Sequence, residues 1–104
     1  MSVEATILDA ISREIAKRIP NVNIAHGHFG IGIVHYGMIM WVKIDGNDIQ
    51  IGEHNPKQKW ENRKMKYDLS DPRVDPINLS VKAAVRAIKN HTIDDGMLKR
   101  YDGL

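Results

Sequence analysis

The chain is expected to fold as an α+β two-layer sandwich, an antiparallel meander sheet of four or five strands with two helices on one face, in the order α-β-β-β-β-β-α. Three observations predict this. Apolar residues recur at three- and four-residue spacing in a run near each end of the chain. They alternate with a period of two between Asn21 and Leu69, and glycine, asparagine and proline stand where one run gives way to the next.

The first helix follows from Val3, Ile7, Leu8, Ile11, Ile15 and Ile19, which share a face while Ser12, Arg13, Lys17 and Arg18 fall elsewhere. Ser2 is placed to cap it and Pro20 to end it. Asp9 with Arg13 and Glu14 with Arg18 add opposite charges at i,i+4, each worth a few tenths of a kcal/mol when exposed.

In the strand region Val22, Ile24 and His26 share one face of a first strand, and Ile31, Ile33 and His35 one face of a second, with a hairpin near Phe29-Gly30 between them. Met38 to Asp45 is apolar on both sides and is read as the central strand. If Gly46-Asn47 form a two-residue loop, Ile44 faces Ile49 and Val42 faces Ile51, so all four reach one face. Glycine in the first loop position suits a type II′ turn. From Gly52 to Arg63 the sequence turns polar and reads as a long loop, after which Met65, Tyr67 and Leu69 alternate with Lys64, Lys66 and Asp68 as a half-buried strand. Ser70-Asp71-Pro72 marks a turn, and Asp75-Pro76 supplies an N-cap and a first-turn proline. The second helix buries Ile77, Val81, Ala84, Val85 and Ile88 and carries Lys82, Arg86 and Lys89 along one ridge.

Composition narrows the function. The 104 residues include no cysteine, so the chain is read as one domain over 1–104 held by a hydrophobic core, without disulfides, thiolate metal sites or thiol chemistry. The first ten residues have Glu4 and Asp9 where a signal peptide carries basic residues, and the longest apolar stretch, Phe29 to Val42, is too short to span a bilayer. The reading is a soluble, cytoplasmic protein with no membrane partner.

The formal charge is +2, but it is unevenly spread. Residues 57–66 hold Lys57, Lys59, Arg63, Lys64 and Lys66 against Glu61, a net +4 that leaves −2 for the rest of the chain. Trp60 lies among these cations and Tyr67 beside them, and cations interleaved with aromatics neutralise phosphates and stack on unpaired bases. The leading expectation is therefore a small non-enzymatic binding protein that contacts nucleic acid or an acidic protein surface through Lys57, Lys59, Trp60, Arg63, Lys64 and Lys66. The alternative is a protein-interaction, inhibitor or assembly module, including a homodimer, that uses Met38, Met40 and Trp41 on an exposed sheet face or edge. The structural explanation of the charge is that Lys64 and Lys66 keep a sheet edge from pairing with another.

Other constellations carry less. His26 and His28, joined by His35 through the hairpin register, put imidazoles on one side of a sheet, with Glu53 and His54 the nearest further donors, but no acid lies close to His26 in the sequence. Gly27, Gly30 and Gly32 are followed by a strand and not by a helix N-terminus, so they are not a phosphate loop. Asp71 and Asp75 precede prolines and read as turn and cap residues, and no serine or threonine sits in a glycine elbow. No catalytic residue, metal or cofactor is expected.

Overall fold

A computed structural model describes residues 2–27, 30–36, 38–54 and 62–91, and for 54, 62, 63, 90 and 91 the backbone alone. Helix α1 spans Val3–Arg18. The Ser2 hydroxyl accepts the Ala5 N–H at 3.1 Å, and the Ile19 N–H reaches back to the Ile15 carbonyl before Pro20 stops the helix. Both expected ion pairs form, Arg13–Asp9 at 2.9 Å and Arg18–Glu14 at 2.7 Å. Ile11, Ile15 and Ile19 are fully buried, whereas Val3 stays in water.

Five strands follow, β1 (Asn23–His26), β2 (Gly30–His35), β3 (Met38–Asp45), β4 (Asp48–His54) and β5 (Asn62–Asp68), and they form one antiparallel sheet in chain order. The apolar strand β3 is central, as its two-sided pattern predicts. Ile44 pairs with Ile49 and Val42 with Ile51. Gly46 has φ +60° and Asn47 does not enter the left-handed region, as a type II′ turn requires. The β1–β2 hairpin closes with the Gly27 N–H donating to the Gly30 carbonyl at 2.8 Å.

The expected loop over 52–63 is shorter at both ends, and β5 begins at Asn62 and not at Lys64. β4 does not stop at Ile51 but continues through Gly52 and Glu53 to His54, paired with Trp41, Met40 and Ile39 of β3. Gly52 falls on the side of the sheet that no described helix covers, and Glu53, on the side of Ile51 and level with Met40, stays partly exposed, so hydrophobic alternation ends before the backbone ladder does.

Helix α2 (Pro76–His91) begins at Asp75, whose carboxylate accepts the N–H groups of Ile77 and Asn78, both at 3.1 Å. The two helices lie side by side over the sheet, α1 against β1 to β3 and α2 against β3 and β4. Their buried residues include Ser12, Ser80, Ala83, Ala84 and Ala87, small side chains of the kind that allow close helix packing. Ser12, which periodicity assigns to the polar side, is buried because its hydroxyl donates to the Leu8 carbonyl at 2.9 Å and so needs no water. Beneath the helices lie Ile31, Ile33, Met38, Met40, Val42, Ile44, Ile49 and Ile51, all nearly inaccessible. No helix among the described residues is long and apolar enough to cross a membrane.

The link from β5 to α2 is tied by two carboxylates. Asp68 accepts from the Ser70 hydroxyl at 2.7 Å and N–H at 2.9 Å, and Asp71 accepts from the Arg73 guanidinium and N–H. These bonds favour the ionised form, so both carboxyls titrate below their ordinary value of 3.8. A carboxyl depressed on folding contributes its stability fully above that value and loses it as pH falls through the lower, folded one. Acid titration followed by NMR is therefore expected to give the Ser70 and Arg73 amide signals midpoints below 3.8. Asp68→Asn should abolish the Ser70 response and leave that of Arg73.

Candidate nucleic-acid interface

Both described helices lie on one side of the sheet, no described helix covers the other, and strand register sorts its residues into rows. Val34 lies opposite Ile39 at one end. The next row runs Ala25, Gly32, Trp41, Gly52 and Lys64 across all five strands. Then come Gly30, Lys43, Gln50 and Lys66, and last Asp45, Asp48 and Asp68. The face therefore grades from apolar, through an aromatic and glycine row, to cations and finally to carboxylates.

Trp41 sits at its centre, half-buried. Its indole lies over Gly52, in the space where any other residue would place a Cβ. Gly52 is thus not the start of a loop but the seat of the tryptophan. Lys43, two residues on, leans the opposite way, its Cγ only 3.0 Å from where a Cβ on Gly30 would stand, and that Cβ would also collide with the Val42 carbonyl oxygen. Gly30 and Gly52 are both required by close neighbours. Gly32 is not, because a Cβ there would meet nothing within 4 Å and its backbone is not in the left-handed region. A strand-interior glycine nevertheless costs about 0.5–1 kcal/mol relative to alanine.

A trough of about 830 Å³ runs over the glycines, bounded by Ala25, Trp41, Lys43, Gln50, Lys66 and the carboxylates of Asp45 and Asp48. Lys66 is held by Asp48 at 3.3 Å, both well exposed, so the pair adds little stability. Lys43 has no ion-pair partner among the described residues.

Of the residues singled out from the sequence, Lys64 and Lys66 stand exposed on this face, on edge strand β5. Arg63 is in β5, described by its backbone. Lys57, Lys59, Trp60, His28 and the tail from residue 92 lie outside the described residues. Met38 and Met40 do not lie on an exposed face. Their side chains point under the helices at 1% and 0% exposure, because even positions of β3 face the core. The odd positions carry the open face, and there Ile39 at 42% and neighbouring Val34 at 39% expose apolar surface that sequence reasoning missed. Tyr36, at φ 47° in the following turn, is also exposed and meets the buried His35 ring edge-on at 4.6 Å.

Arg86, in the basic ridge of α2, reaches β5, its guanidinium meeting the Met65 sulfur at 3.5 Å. Arg86 is half-buried there and its Nε is shut from solvent without a hydrogen-bond partner among the described residues. His26 and His35 do point to one side of the sheet, but four residues of strand, about 13 Å, separate their levels. No group of three metal-binding side chains occurs among the described residues.

Comparison with protein-family models, with curated proteins and with solved structures yields no match, so the functional reading rests on the chain's own residues.

Proposed function

We propose that the protein binds single-stranded nucleic acid across the open face of its sheet. The observation that carries this reading is the row Gly32–Trp41–Gly52–Lys64, an indole seated on a glycine with a lysine next to it, on a face that no described helix covers. Open sheets with a central aromatic suit unpaired bases, which stack on the ring while nearby cations meet the phosphates. Lys64, Lys66 and Lys43 supply cations on this face, and Lys57, Lys59, Trp60 and Arg63 extend the positive segment in sequence. The carboxylate row at the far end opposes phosphate and so directs the strand towards the Trp41 and Lys64 side.

Fluorescence anisotropy with a labelled 12-mer, single- and double-stranded, at two salt concentrations tests it. Single strands should bind more tightly, and Trp41→Ala should weaken that binding about 10-fold, the lower end of what one stacked base contributes. The Lys64→Ala, Lys66→Ala variant should make the log–log salt slope shallower by roughly 0.7 for each phosphate that the two lysines neutralise. Absence of binding at low salt overturns the proposal.

A second reading, a homodimer, is favoured by the adjacent exposed side chains Val34, Ile39 and Tyr36. Sedimentation at high micromolar concentration separates the two, because Ile39→Lys would dissolve a dimer built on this patch.

A further inference from the structure

We infer that the trough beside Trp41 is a socket for a single nucleoside monophosphate unit, a flat aromatic ring carrying one phosphate. This rests on the reading of the face as a nucleic-acid platform and specifies where on it one unit is held. Gly32 is the key. Strand interiors disfavour glycine, and neither a close neighbour nor a left-handed backbone explains it here, unlike Gly30, which Val42 and Lys43 crowd, and Gly52, which Trp41 covers. Glycine in a strand also serves where a ligand approaches the backbone, and no described atom lies within 4 Å of where a Cβ on Gly32 would stand.

The surroundings fit one kind of occupant. Trp41 and Lys43 splay apart, one over β4 and the other over β2, so the space above Gly32 opens between an indole and a lysine stem. Its far side is only the methyl group of Ala25. A floor of peptide backbone with an aromatic at one side accepts a planar ring, and at about 830 Å³ the trough is of ligand-pocket size. Lys43, unpaired among the described residues, is placed to take one phosphate. Lys66 is already engaged with Asp48, and the Asp45 and Asp48 carboxylates at the trough's end repel further negative charge while accepting hydrogen bonds from ribose hydroxyls or an exocyclic amine. A monophosphate should therefore be preferred to a triphosphate.

Titration calorimetry with adenosine 5′-monophosphate tests the socket, with adenosine, inorganic phosphate and adenosine triphosphate as comparisons. The monophosphate should bind at least 10-fold more tightly than any of these. Gly32→Val fills the space with a side chain that strands favour, so it should leave the melting temperature no lower while weakening the monophosphate at least 10-fold. Lys43→Gln should weaken the monophosphate and leave adenosine unchanged, which serves even if the valine variant folds poorly. Equal affinity of wild type and both variants, or no heat with the monophosphate at millimolar concentration, overturns the socket. Should the 12-mer bind while the monophosphate does not, the socket fails and the wider platform stands; should neither bind, both fall.

Discussion

Met40→Ala is expected to lower the unfolding free energy by about 2–5 kcal/mol, while Trp41→Ala, one residue along the same strand, should cost far less stability and weaken single-strand binding about 10-fold. Met40 is completely buried on the central strand, beneath both helices, with Ile33 directly across on β2. Truncation removes three heavy atoms from a packed interior and leaves a void that Ile33, Val42 and Ile51 can close only in part, since each is fixed by a strand. Trp41 rests on the open side and props nothing above it, so its loss uncovers Gly52 without opening the core. Urea unfolding and single-strand binding measured on both variants give the check. Equal loss of stability in the two would mean that Trp41 belongs to the core and not to a binding face.

The second large effect is at Gly30. Gly30→Ala places a Cβ against the Val42 carbonyl oxygen, a backbone atom in the next strand that cannot swing aside as a side chain can. Either β2 moves from β3 at the Gly30–Lys43 pair or the hairpin closed by the Gly27 N–H opens. Steric insertions of this kind cost about 1–3 kcal/mol. Gly32→Ala, two residues on and on the same face, meets open space and should be neutral or slightly stabilising. Denaturant midpoints for the pair therefore test the strand spacing directly, and an alanine at position 30 as stable as glycine would refute the close approach.

The elements were legible because each obeys a short-range rule. Helix α1 shows its face at every third or fourth residue, and the Gly46-Asn47 turn dictates that Val42 and Ile44 meet Ile51 and Ile49. The face of β3 was not legible, since a strand apolar on both sides gives no sign of which side the helices take. Met38 and Met40 are for that reason equally plausible as surface until α1 and α2 are placed above them. Nor could Gly52 be read as a seat for Trp41, because the pair is eleven residues apart in sequence and meets only through the register of β3 and β4. The clustering of lysine in β5 was visible from charge alone; its company with an indole on an open sheet depends on tertiary placement.

The order of the sheet also has a consequence for how the chain reaches this state. Every strand pairs with its neighbour in sequence, so the sheet can form by successive local hairpins, each closing a short loop. The packing of α1 against α2 is of another kind, joining the two ends of the described chain. During synthesis from the N-terminus, α1 can settle on β1 to β3 well before α2 exists, and the half of the core that α2 covers stays uncovered until α2 emerges. Ile49 and Ile51 are then exposed longest. We expect the interval between completion of β4 and docking of α2 to be the period in which the nascent protein is most prone to associate with other chains.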